Sequence, residues 1–108
     1  ESMAAALAVL GNRPGRHVAV LGDMLELGDV TEALHRLVGE YTNQCADVLV
    51  TYGEHSKFIE INSSVKEKYH FQINEKEKLH FFLKEFIKVG DTVLYKASNG
   101  IKLSEVIV

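Results

Sequence analysis

The chain has 108 residues, 46% hydrophobic and 25% charged, with a formal net charge of −3, an ordinary globular composition that supports one core and excludes disorder. Lys and Arg are scattered among Asp and Glu, so no basic field exists to hold a nucleic-acid backbone. No apolar run is long enough to span a bilayer, and the single cysteine, Cys45, cannot form an internal disulfide, which fits a reducing, cytoplasmic compartment.

The sequence opens at Glu1-Ser2 without an initiator Met and runs at once into helix-forming Met3 to Leu10, so a longer parent protein is expected. Ser2 is placed to cap that helix, and Gly11-Asn12-Arg13-Pro14-Gly15 ends it. His17 to Leu21 is short, apolar and not alternating, the pattern of a strand covered on both faces; Gly22 to Gly28 follows as a loop. Asp29 and Glu32 have capping-box spacing. Val30, Leu34, Leu37, Val38 and Tyr41 recur at helical intervals and predict a helix from about Val30 to Gln44.

Val48 to Tyr52 is a second buried strand ending at Gly53, with a weaker helix through Phe58, Ile59, Ile61, Asn62 and Val65 behind it. His70 to Ile73 reads as a third strand. Glu75 to Lys88 reads as an amphipathic helix through Leu79, Phe82, Leu83, Phe86 and Ile87. Gly90-Asp91 makes a turn, Thr92 to Lys96 a fourth strand, Ala97 to Gly100 a loop, and Ile101 to Val108 the start of a closing helix.

Strands alternating with helices predict an α/β, Rossmann-like single domain: a mostly parallel sheet with helices on both faces, in three layers. The simplest strand order is 3-2-1-4. It reverses chain direction between the first and fourth strands, and open sheets of this kind place ligands at the carboxyl ends of strands beside such a point. The loops after Leu21 and after Lys96 should then be neighbours.

Neither a GxxxxGK[ST] phosphate loop nor a GxGxxG fingerprint is present, so tight ATP binding by this chain alone is not expected. The five histidines have no metal-site spacing, and no nucleophile elbow or Cys-His arrangement appears. What remains is the pair of neighbouring loops. Asp23, Met24 and Glu26 offer carboxylates and backbone donors; Lys96, Ser98 and Asn99 offer a cation, a hydroxyl and an amide. Such a set suits a zwitterion, whose ammonium needs carboxylates and whose carboxylate needs donors. Plainer roles compete: Asp23 ending its strand, Glu26 and Lys96 facing solvent, Ser98 or Asn99 capping the last helix, His35 flanking its helix, Cys45 as inert core. Gly39, inside a helix, marks close packing.

Val18-Ala19-Val20-Leu21-Gly22-Asp23-Met24-Leu25-Glu26-Leu27-Gly28, followed by Leu34-His35 and Val38-Gly39, closely resembles the C-terminal domain of the Mur ligases, the ATP-dependent cell-wall peptide ligases. Glu1-Ser2-Met3 with Ala5, Ala6 and Leu7 resembles the tail of the family's Asn-Pro-x-Ser hinge motif. Gly90-Asp91-Thr92-Val93-Leu94-Tyr95-Lys96-Ala97-Ser98 resembles its Gly-Asp-x-Val-Leu-x-Lys-Gly-Ser segment, with Ala97 and Asn99 where Gly and Arg are expected and Ser104 where a glutamate is expected.

The resemblance implies that residues 1–108 are the C-terminal domain of a three-domain enzyme, inactive alone. Its full-length form would use ATP and Mg²⁺, bound mainly by the central domain, to join D-alanyl-D-alanine to UDP-N-acetylmuramoyl-tripeptide in peptidoglycan precursor synthesis. It further implies that Asp23, Met24 and Glu26 form the loop facing the active site, that His35 braces it, and that Lys96 and Ser98 lie near the dipeptide, with Asn99 beside them. No catalytic or metal-binding residue is expected on this domain. The alternatives are a sister ligase that adds a single amino acid, and a stand-alone, non-catalytic Rossmann-like binding module.

Overall fold

The computed structural model describes residues 2–25 and 27–108, the side chain of Asn99 excepted. Helix α1 (Met3–Gly11) starts at Ser2, whose hydroxyl accepts the Ala5 amide at 3.1 Å. Strand β1 (His17–Gly22) leads through a short 3-10 turn to α2 (Thr31–Thr42); β2 (Val48–Tyr52) is followed by α3 (Lys57–Ile61), β3 (Glu67–Phe71) by α4 (Lys76–Phe86), and β4 (Thr92–Lys96) by two 3-10 turns. All three strand pairings are parallel, in the order β3-β2-β1-β4, as the strand–helix alternation predicts.

Each face of the sheet has its own core. Ala19, Leu21 and Leu49 pack beneath α1, α2 and α3 with Leu7, Leu10, Val38 and Ile59. Val18, Val20, Val50 and Tyr52 pack beneath α4 and the C-terminal turns with Leu79, Leu83, Leu103 and Val106. The non-alternating runs of β1 and β2 are explained by this: both sets of side chains are covered, so no position selects a polar residue. Gly39 sits where α2 crosses α3, and a Cβ there would lie 2.5 Å from the Ile59 carbonyl.

Four elements depart from expectation. Strand β3 runs from Glu67 to Phe71 rather than His70 to Ile73, because it is an edge strand whose charged start hides it from a search for apolar runs. Ile73 instead opens a 3-10 turn in which Gln72 and Glu75 cap each other. The Asp29–Glu32 capping box does not form: Asp29 lies in a 3-10 turn, and the Thr31 hydroxyl donates to the Gly28 carbonyl at 2.8 Å. The weaker helix is confined to Lys57–Ile61. The closing helix is replaced by the turns Asn99–Ile101 and Leu103–Val106, interrupted by Lys102 in the left-handed region at φ 56.

Candidate functional site at the carboxyl rim of the sheet

The carboxyl ends of the strands bring the loops after β1, β2 and β4 together. Asp23, just beyond β1, is 4% exposed. Its Oδ2 accepts the Glu54 amide at 3.0 Å, and its Oδ1 accepts those of His55 at 3.0 Å and Ser56 at 2.7 Å. Gly53 makes this possible: it holds φ +127, and a Cβ there would sit 2.4 Å from Asp23 Oδ1. The carboxylate read from sequence as available to a ligand's ammonium is thus committed to the protein's own backbone, because three inward-pointing amides would otherwise lack acceptors.

The neighbouring residues extend this clamp. The Met24 amide donates to His35 Nε2 at 3.0 Å, and His35 Nδ1 lies 2.7 Å from the Thr31 carbonyl. Nε2 accepts, so the ring proton sits on Nδ1 and is donated to Thr31. His35 is fully buried beneath the loop. The Leu25 amide donates to Ser98 Oγ at 2.8 Å, and the Ser98 amide donates to the Asp23 carbonyl at 3.0 Å. The loops after Leu21 and after Lys96 are therefore joined, the adjacency that the 3-2-1-4 order predicts.

Lys96, the last residue of β4, is half-buried and lines a shallow cleft of about 250 Å³ with Ser98, Lys102 and Ser104. Met24 is half-buried against the core under α1 to α3. Glu26 lies outside the described residues; Asn99 contributes backbone to a 3-10 turn, and its side chain lies outside them.

A larger cleft, about 490 Å³, opens at the carboxyl ends of β2 and β3, lined by Gly53, Glu54, Lys57, His70, Gln72, Ile73 and Asn74. His70 Nδ1 lies 2.7 Å from the buried Thr51 hydroxyl. Burial pushes the His70 pKa below the ordinary histidine value, against the opposing pull of Glu60 and Asp23. These residues were not singled out from sequence. The available signal was Gly53, which ends a buried strand at the same end of the sheet as Gly22. Among the described residues, no group of three His, Cys, Asp or Glu side chains could hold a metal ion, and no helix is long and apolar enough to cross a membrane.

Residues 1–99 match the family described as Mur ligase, glutamate ligase domain. The chain belongs to the Mur ligase family. Curated relatives include UDP-N-acetylmuramoyl-tripeptide–D-alanyl-D-alanine ligases of Bacillus subtilis, 38% identical over 86% of this chain and 21% of the relative, and of Escherichia coli, 38% identical over 98% of this chain and 23% of the relative. The chain thus spans less than a quarter of the length of either. Among solved structures, the MurF ligase from Thermotoga maritima in complex with ADP superimposes with a TM-score of 0.80 at 27% identity, over 96% of this chain and 23% of that one. MurF from Acinetobacter baumannii, at 23% identity and a TM-score of 0.77, shares the fold. In this Mur ligase chain the loop that leaves Gly22 starts at the rim where all four parallel strands end.

Proposed function

We propose that residues 1–108 are the C-terminal domain of a three-domain, ATP-dependent ligase that joins D-alanyl-D-alanine to UDP-N-acetylmuramoyl-tripeptide in the cytoplasm, in the synthesis of peptidoglycan precursors. The observation that carries this reading is likeness, over most or nearly all of this chain, to ligases named for that reaction, combined with a rim whose loops are locked to one another while two of its lysines have no ion-pair partner among the described residues. Among the described residues, neither Lys96 nor Lys102 is in an ion pair.

In this reading the domain supplies position. The tripeptide carboxylate takes the γ-phosphoryl group of ATP to give an acyl phosphate and ADP, and the deprotonated dipeptide amine attacks its carbonyl carbon, forming the amide as the C–O bond to phosphate breaks and inorganic phosphate leaves. A rigid rim closing over that site holds the amine in line and keeps water from the activated acyl group. Lys96 and Ser98 stand on the substrate side of the rim and Met24 seats the loop against the core, with Glu26 and Asn99 assigned to the substrates by the sequence resemblance alone. Asp23 and His35 act behind them: Asp23 fixes the loop after β2, and His35 fixes the backbone at Met24. In this reading ATP and Mg²⁺ are bound mainly by the central domain, which would carry the phosphate loop that residues 1–108 lack.

The test uses the full-length protein with ATP, Mg²⁺ and a UDP-muramoyl tripeptide. ADP release should require D-alanyl-D-alanine and should not be supported equally by single amino acids. Release that ignores the dipeptide would overturn the reading.

A further inference from the structure

Helix α4 carries two apolar stripes where a surface helix needs one. Leu79 and Leu83 are fully buried against the sheet. Phe81, Phe82 and Phe86 fall with Lys78 and Glu85 at positions i, i+3, i+4, i+7 and i+8 of a second stripe. These five residues line an almost wholly apolar groove of about 400 Å³. Its floor is held by the domain: the Phe82 ring centre lies 4.7 Å from that of Tyr69 on edge strand β3 and 4.9 Å from that of Phe86, on which the Arg16 guanidinium packs at 4.4 Å. Phe81 stands out from this floor, 66% exposed and in none of these ring contacts.

The polar members of the stripe bracket the apolar ones with opposite signs. Lys78 and Glu85 lie about 10 Å apart along the helix axis, with Phe81 and Phe82 at the midpoint between them. A two-fold axis through that midpoint sets Lys78 of one copy against Glu85 of the other, and does so twice, around a centre where each Phe81 meets the Phe82 of the other copy. Parallel helices would instead oppose like charges. The two charges are available for this: among the described residues Glu85 is in no ion pair, and Lys78, its side chain 76% exposed, makes only a 3.5 Å contact with Glu75. A partner of one sign would be attracted at one end of the stripe and repelled at the other, whereas a second copy is matched at both.

We infer that the outer face of α4 is an isologous interface between two copies of this protein, the helices antiparallel and Phe81 of each copy seated in the groove of the other. Burial of the two Phe81 rings drives the association, since aromatic side chains carry most of the energy of such contacts. The Lys78 to Glu85 pairs, at the margin, set direction and register more than affinity. None of the five residues belongs to the loops after β1, β2 or β4, so none is part of the binding machinery proposed above.

The experiment is sedimentation velocity of the full-length protein across the micromolar range, without substrates, so that its outcome is independent of the ligase reading. Wild type should pass from monomer to dimer as concentration rises. Phe81→Ser should raise the dimer Kd by about a hundredfold, about tenfold for each of the two copies it alters, with an unchanged melting temperature as the control for folding. Glu85→Lys should raise it by about tenfold, because each Lys78 then faces a lysine. Combining it with Lys78→Glu should restore the Kd to within about threefold of wild type. A wild type that stays monomeric throughout would overturn the inference; if Phe81→Ser then lowered its melting temperature, another part of the same chain would be what covers the groove. A dimer that survives both Phe81→Ser and Glu85→Lys would overturn it as well, since association would use a different face. Failure of the paired charge reversal to restore the dimer would overturn the antiparallel arrangement.

Discussion

At the amino ends of the strands, Arg16 donates to both carboxylate oxygens of Asp91, at 3.0 and 2.7 Å, and lies 4.4 Å from the centre of the Phe86 ring. At the carboxyl ends, the buried carboxylate of Asp23 is in no ion pair among the described residues and takes three backbone amides instead. The first rim fastens β1 to the start of β4 with a charge pair, while the second satisfies its one buried charge with neutral donors and leaves Glu54, Lys57, Lys96 and Lys102 without ion-pair partners among the described residues. Charge left unpaired on a rigid frame is what a binding surface requires. Charge paired across a frame only ties strands together. The comparison teaches that the two ends of the sheet are fastened differently, one by a charge pair and the other by a carboxylate held on backbone amides.

The largest expected effect comes from breaking the neutral clamp. Asp23→Ala would leave the Glu54, His55 and Ser56 amides without their acceptor and should cost about 3 kcal/mol, since hydrogen bonds to a charged group are individually strong and the vacated site lies in the interior. Asp23→Asn should not rescue it. If the amide oxygen faces His55 and Ser56, the NH₂ group faces the Glu54 N–H, donor against donor. Native-state hydrogen exchange at the core amides of Val20 and Val50, followed in the full-length protein, measures the local cost. Protection equal to wild type in both variants would mean that the rim is held by something other than this carboxylate.

The strands that form this frame were legible to different degrees, for physical reasons. Strands β1, β2 and β4 stand out because they are short apolar or β-branched runs between Gly-containing turns, and β1 and β2 are covered on both faces. Strand β3 is an edge, so Glu67 and Lys68 occupy it without penalty and its sequence gives no apolar run. The loop Gly22 to Gly28 was recognisable as lying at a switch point, and Ser98 as its neighbour. The role of Asp23 was not, because its partners lie 31 to 33 residues away and are backbone amides, which leave no mark in a side-chain pattern. Glu54 and Lys57 likewise read as loop and helix charges until the β2 and β3 ends are seen side by side.

A smaller effect is expected at the other rim. The Arg16 guanidinium, with help from the Lys88 amide, holds the Asp91 carboxyl below its ordinary pKa. A depressed carboxylate pKa contributes stability that is fully present above the unfolded-state value, about 4, and is lost as pH falls through the folded-state value. Asp91→Asn should therefore cost about 1 kcal/mol at neutral pH, kept small because Arg16 is partly open to solvent. The difference from wild type should shrink as the pH is lowered below about 4. Hydrogen exchange at several pH values reads both parts. A difference that is constant with pH would show that Asp91 acts through its cap on Lys88 rather than through its charge.

The smallest effect separates the two loops of the working rim. Ser98 Oγ accepts the Leu25 amide, while the backbone contact between the Ser98 amide and the Asp23 carbonyl does not depend on the side chain. Ser98→Ala should accordingly keep the loops adjacent and cost under about 1 kcal/mol, while exchange at the Leu25 amide quickens and exchange at the Glu54 amide stays at the wild-type rate. That pattern would show two independent fastenings on the loop after β1, one to β2 through Asp23 and one to β4 through Ser98. If Glu54 exchange quickened as well, the fastenings would be coupled, and any ligand that touches Ser98 would also move the loop that carries Glu54.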